Sequence, residues 1–264
     1  MISPSTMKRE DVLSDLLYRI RGSKLDRLLS GVGIRDGVVD TIELVEYQAN
    51  HGVVTVTVDG NEIGFETDTL KEYRSLRHLA QTEKPILLDF LNNLRPTDVV
   101  FDVGAHLGLY AKTATAAEVE SVVTFELLPA NAERLRETMP PEVTVVNKGV
   151  TAESGERAIK DGDQGAGEVI ASLSTDSGSE QIPVTSLDTF AQEHDIHPTV
   201  MKIDVEGAES EVISGGKETL SKCRVVYIEI HDEYSDISDS LTALGFNMEA
   251  IHERESQVFI KAFR

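Results

Sequence analysis

The side chains best suited by type and spacing to share one site are Asp102, Glu126, Asp204, Glu206 and His231. Asp102 lies in the apolar run Val99-Val-Phe-Asp-Val103, which enters the turn Gly104-Ala105-His106-Leu107-Gly108. Glycines at such a turn let backbone and ligand approach closely. The helix expected to leave it offers unpaired N–H groups. Glu126 closes the next apolar run, 22 positions beyond Gly104. A carboxylate at that separation can accept hydrogen bonds from ribose hydroxyls. The spacing Asp-x-Gly-x-x-x-Gly differs from the Gly-x-Gly-x-x-Gly of dinucleotide sites, where a pyrophosphate covers the turn and a nearby carboxylate is unwelcome. A nucleoside with no pyrophosphate and a cationic amino-acid end satisfies both acids, and S-adenosylmethionine is that molecule. Asp102, Gly104, Ala105, Gly108 and Glu126 are the residues expected to bind it, with His106 shaping the turn.

Asp204 and Glu206 follow the run Thr199–Asp204, and His231 ends Arg224–His231. Methyl transfer from a sulfonium is an in-line displacement. Holding the reacting atoms collinear can lower its barrier by about 7–11 kcal/mol. A hydroxyl acceptor must also lose a proton, and a placed base adds roughly 10²–10⁴-fold. His231 is the first candidate base, since an imidazole titrates near neutrality, and Glu206 is the second. Asp204 is read as a cofactor or substrate contact, ahead of a helix-capping role. Glu209 is read as a cap or dipole partner for the helix that follows, and Lys202 as a partner for a nearby carboxylate. Asp204, Glu206, His231 and Asp232 carry donors that could hold Mg²⁺, but metal-independent transfer is the expectation.

The elements that must position these groups follow from periodicity. Strand-like runs at 99–103, 121–125, 143–146, 181–185, 199–204 and 224–231 alternate with helical patterns at about 108–117, 128–139, 208–214 and 236–244. Two terminal strands, about 246–251 and 256–262, are expected to pair antiparallel across a short polar link. Such alternation predicts an α/β fold with a mostly parallel sheet covered on both faces, and ligands then bind at the carboxyl ends of its strands. Residues 151–180 read as loops with short hairpin strands. Ahead of the boundary at Arg95-Pro96-Thr97-Asp98 lies an extension, 1–95. It is read as a helix over 11–20, a small β-meander of 41–47, 53–58 and 62–66, and a helical stretch over 69–94 that Pro85 interrupts. The extension is expected to cover the pocket or to form a homodimer surface.

Val200-Met-Lys-Ile-Asp-Val-Glu-Gly-Ala-Glu209, together with VFDVGAHLGLYA, FELLPANAERL, TSLDTF and VVYIEIHD, resembles the FkbM-type methyltransferases over roughly 97–231. His106 stands where the family's commoner form has Asn. The resemblance implies a Rossmann-like class I methyltransferase fold over 96–264, with a seven-stranded sheet and one antiparallel strand. It also implies S-adenosylmethionine-dependent methylation, generally of a hydroxyl oxygen. On that likeness Asp102, Gly104, Gly108 and Glu126 line the cofactor site, and Asp204 and Glu206 lie near the transferred methyl. The acceptor is then a small molecule or a glycan.

Composition narrows the partners. Asp and Glu total 46 against 25 Lys and Arg, a net charge of −21. Such a surface repels nucleic acid and anionic lipid and suits a protein adapted to molar salt, where the screening length is about 3 Å. No apolar run approaches the ~18 residues of a membrane span, and the start of the chain has no signal-peptide pattern, so the expected compartment is the cytoplasm. The lone Cys223 excludes an intrachain disulfide and fits buried packing. Two rival readings are a nicotinamide-dependent Rossmann oxidoreductase and a binding protein that kept the fold without catalysis. The Asp102-x-Gly104 spacing and the lack of a Tyr-x-x-x-Lys pair weigh against the first.

Overall fold

The computed structural model describes residues 35–161, 171–174, 181–231, 234–254 and 257–264, with isolated positions 27 and 30. The helix expected over 11–20 and the donor Asp232 lie outside the described residues. The chain divides into two units. One comprises, in its described part, 35–56 with 64–79, and the other 57–63 with 80–264.

Early in the described chain, helix α1 spans Arg35–Ala49, strands β1 (Val53–Val58) and β2 (Asn61–Glu66) form a hairpin, and α2 spans Leu70–Thr82. The expected meander is therefore a two-stranded hairpin, because 41–47 is helical. Ion pairing explains the difference. Asp40 and Glu43 both hold Arg74, each at 2.7 Å, while the buried Glu46 holds Arg77. Acids spaced by three share a helix face, whereas a strand would turn Glu43 away from the other two. Tyr47 adds an edge-on contact with Tyr73, with ring centroids 5.7 Å apart.

The second unit holds a seven-stranded sheet. Helix α3 (Lys84–Asn93) carries Pro85 in its first turn, where a missing N–H is harmless. The alternation then runs β3 (Val99–Val103), α4 (Leu109–Ala116), β4 (Ser121–Phe125), α5 (Pro129–Thr138), β5 (Val143–Val146) and β6 (Gly149–Val150). It continues with β7 (Gly155–Asp161), β8 (Ala171–Ser174), β9 (Gln181–Thr185), α6 (Leu187–His194), β10 (Val200–Ile203), α7 (Glu209–Ser214) and α8 (Lys217–Leu220). Last come β11 (Val225–Ile230), α9 (Tyr234–Ala243), β12 (Asn247–Arg254) and β13 (Gln257–Phe263). The strand order is β12-β13-β11-β10-β3-β4-β5, with β13 antiparallel to both neighbours and the pairs from β11 to β5 parallel. This is the class I methyltransferase fold. Strands β6, β9, β7 and β8 form a separate four-stranded sheet.

The two faces of the large sheet differ in chemistry because side chains alternate along each strand. On one face Phe101, Val103, Phe125, Met201, Ile203, Val226 and Ile228 pack with Phe190 of α6, Val212 of α7 and Leu241 of α9. Phe125 meets Phe190 at 4.8 Å between ring centroids. Cys223 is buried in this apolar layer, as expected, and burial pushes its thiol up to about 12. The opposite face carries Asp102, Lys202 and Tyr227 in one register row, with Phe90 of α3 edge-on to both Tyr110 and Tyr227. All the ionisable groups of the site lie on this second face or at its carboxyl end.

Candidate active site

The loop after β3 is closed by the protein's own groups. Gly104 has φ +84°, and a Cβ there would lie 1.7 Å from the Asp204 carbonyl oxygen. Gly108 has φ +77°, and its Cβ would strike Met139 at 2.3 Å. Both positions thus demand glycine before any ligand is considered. Buried Asp102 accepts a hydrogen bond from Ala111 N at 3.0 Å, so it caps one of the free N–H groups at the start of α4. Glu126 accepts from His106 N and from Leu128 N, both at 2.8 Å. Its two oxygens hold the turn after β3 and the turn after β4 together, Oε1 also accepting from Asn131 Nδ2 at 3.4 Å. His106 itself adopts φ 48°.

The donor set fits a cationic nucleoside. No Lys or Arg occurs between Val103 and Tyr110 to meet a pyrophosphate. Burial, opposed by Lys202 and by the Ala111 N–H, lifts the Asp102 carboxyl to about 7, with Asp204 and Glu126 pushing the same way. The carboxylates of Asp204 and Glu126 add negative potential at this end of the sheet, where a sulfonium would be stabilised. Asp102, Glu126 and Asp204, with the turn Gly104-Ala105 to Gly108, are the residues that would hold the cofactor.

Behind Asp204 lies a buried charge cluster. Lys202, 1% exposed in its side chain, donates from Nζ to Asp204 Oδ2 at 3.1 Å. Its ammonium also sits 4.9 Å from the Tyr110 ring centroid and 5.7 Å from that of Phe259. Carboxylate atoms of Glu83, Asp204 and Glu229 lie within 4.8 Å of one another, and Tyr110 Oη donates to Glu83 at 2.6 Å. Burial opposes the charge on Lys202, but the surrounding Asp204, Glu83, Glu229 and Asp102 outweigh it and raise its pKa. Burial would raise Asp204 too, yet Lys202 holds it below the usual range. Glu229, buried beside Asp204, is pushed up to about 8. One proton shared between Glu229 and Asp204 therefore suits the cluster at neutral pH.

His231 follows directly on β11. Its Nδ1 is 2.8 Å from Glu209 Oε1. Its Nε2 is buried without a hydrogen-bond partner among the described residues. Glu206 Oε2 lies 3.3 Å from it, off the bonding direction, and Glu229 Oε1 lies 3.9 Å away. Burial would lower the imidazole pKa, but the Glu209 hydrogen bond and the charges of Glu206 and Asp204 push it up to about 9. The structure thus brings His231, Glu206 and Asp204 together, with donor atoms within 4.8 Å of one another. Three partners escaped the sequence reading in these roles: Glu83, Glu209 and Glu229. A charge inside the otherwise apolar VVYIEI of β11 was the available signal for Glu229.

Comparison with known proteins accords with this geometry. The Methyltransferase FkbM domain family matches residues 102–248, which is over half of the chain. Over 212 residues the chain is 26% identical to the hexuronic acid methyltransferase AglP of Haloferax volcanii, covering 79% of this chain and 82% of that protein. It is 27% identical over 159 residues to the 2-O-methyltransferase NoeI of Sinorhizobium fredii, covering 53% of this chain and 65% of that protein. Among solved structures, a ribosomal protein L11 methylase from Lactobacillus delbrueckii subsp. bulgaricus aligns at 12% identity with a TM-score of 0.46, over 70% of this chain and 79% of that one. No helix among the described residues is long and apolar enough to cross a membrane. Family membership sets the oxidoreductase reading aside: the chain belongs to the FkbM methyltransferases and takes its methyl group from S-adenosylmethionine.

Proposed function

We propose that this protein O-methylates a hydroxyl of a sugar, in a glycan or a small molecule, with His231 as the general base. The observation that carries the reading is the buried Nε2 of His231, without a hydrogen-bond partner among the described residues, at the carboxyl end of β11 beside Asp204 and Glu206 at the end of β10. The activities for which the two relatives are named, on a hexuronic acid and at a 2-oxygen, favour a sugar acceptor. When bound, S-adenosylmethionine supplies a methyl whose carbon–sulfur bond breaks with its electron pair kept by sulfur, so the accepting oxygen must shed a proton. His231 Nε2 takes that proton. Glu206, 39% exposed in its side chain, can swing from Nε2 to admit the hydroxyl, and it is the second candidate base. Asp102, Gly104, Ala105, Gly108, Glu126 and Asp204 form the cofactor side. Residues 96–264 serve as the methyltransferase domain, and Glu83, ahead of it, serves the same cluster. The strongly acidic surface disfavours nucleic acid as acceptor.

Transfer of label from tritiated S-adenosylmethionine to a panel of neutral and acidic sugars tests the activity. His231→Ala tests the base, with an expected loss of about 10²–10⁴-fold. A loss under about tenfold would remove His231 from that role. Absent cofactor binding by calorimetry would favour the non-catalytic reading.

A further inference from the structure

Glu209 does more than start a helix. It is the first residue of α7 and is 2% exposed. Its Oε1 accepts from Gly207 N at 3.1 Å and faces His231 Nδ1 at 2.8 Å. The turn that aims it is built from two left-handed residues, Glu206 at φ 50° and Gly207 at φ 92°. For a glutamate that conformation is strained, and it persists only where the surroundings impose it. The turn returns the chain so that the first residue of α7 meets the end of β11. A carboxylate needed only for its own loop would be served by Gly207 N alone.

We propose that Glu209 is a positioning residue for His231, holding Nδ1–H so that the lone pair sits on Nε2 and stabilising the imidazolium formed when the acceptor hydroxyl gives up its proton. The inference rests on the reading of His231 as base. The proton balance is simple. The hydroxyl proton passes to Nε2, Nδ1 keeps its own, Glu209 stays ionised, and the imidazolium later releases one proton to solvent. Other charges face the ring from neighbouring elements: Glu206 after β10, Glu229 on β11, and Asp204 with its partner Lys202. They favour the charged ring; Glu206 and Glu229 lie on the Nε2 side at 3.3 and 3.9 Å and compete for the proton there, whereas the Glu209 carboxylate faces Nδ1 at the shorter 2.8 Å.

Nitrogen-15 spectra of histidine-labelled protein above about pH 10, where His231 is neutral, test the tautomer directly. The expected result is a proton on Nδ1 of His231, assigned by its loss in His231→Ala. A proton on Nε2 overturns the proposal. The second arm is Glu209→Gln, checked by thermal melting to be folded. Its kcat should fall about 10²–10⁴-fold with KM within about threefold, and the acidic limb of its pH profile should move down by about one unit. A purely structural role would move neither the tautomer nor the limb. His231→Ala separates the two readings. A loss under about tenfold removes the base and this proposal with it. A large loss there, beside an unchanged Glu209→Gln, removes this proposal alone.

Discussion

Lys202→Met removes a buried charge while keeping most of the stem that carries it. The wild-type ammonium lies over Tyr110 and Phe259 and is surrounded by Asp204, Glu83, Glu229 and Asp102. Methionine can fill the same slot, so the packing loss should stay below about 1.5 kcal/mol. The electrostatic loss dominates. Removing one partner from buried charges costs about 3–5 kcal/mol, which for a chain of this size lowers Tm by roughly 6–20 °C. The pH dependence is the sharper signature. Without Lys202 the carboxyls bind protons more readily folded than unfolded. Asp102 at about 7 and Glu229 at about 8 already lean that way. Groups raised in the folded state stabilise below their unfolded pKa, and that contribution is lost as pH rises through the folded value. The variant's deficit should therefore be small near pH 5 and full near pH 8. Urea unfolding of both proteins at about pH 5, 6.5 and 8 measures it. A deficit below about 1 kcal/mol at pH 8, or one equal at all three values, would refute the reasoning.

Other outcomes follow from the same groups. With His231 at about 9, about one molecule in a hundred carries a neutral ring at pH 7. So kcat/KM for S-adenosylmethionine should rise about tenfold between pH 7 and 8 and level off above 9; a plateau already reached by pH 7 would count against this base. Glu126→Gln should weaken cofactor binding by about 10–100-fold in calorimetry. Both wild-type oxygens accept N–H bonds, so a glutamine must turn its own N–H₂ against one donor; affinity within about threefold of wild type would show that neither bond matters. The net charge of −21 predicts an unfolding midpoint several degrees higher in about 2 M KCl than in dilute buffer, and equal midpoints would remove the salt-adaptation reading.

Much of the sheet was legible because its strands are short apolar runs closed by turn residues. Strands 121–125 and 143–146 fall where the periodicity puts them. Residues 41–47 misled because β-branched alternation and a spacing of three coincide there, and the ion pairs to Arg74 and Arg77 that decide between them lie over 25 positions away. The glycine turn was legible as a site. The close approach of Gly104 to the Asp204 carbonyl was not, since it depends on how β3 and β10 stack. Glu209 read as a helix-start acid because local rules speak only of the dipole; its partner stands 22 residues on. Glu83 was invisible for the same reason, as its contact with Tyr110 spans 27.

Met201, Lys202 and Ile203 stand side by side on β10, yet they serve opposite faces of the sheet. Sliding this strand by a single position would drive an ammonium into the hydrocarbon layer beside Phe101 and take the lysine away from four acids. The charges that equip the protein for chemistry therefore also forbid misaligned pairing, and a mutation that neutralised them would loosen the choice of β10's neighbours during folding as well as the reaction.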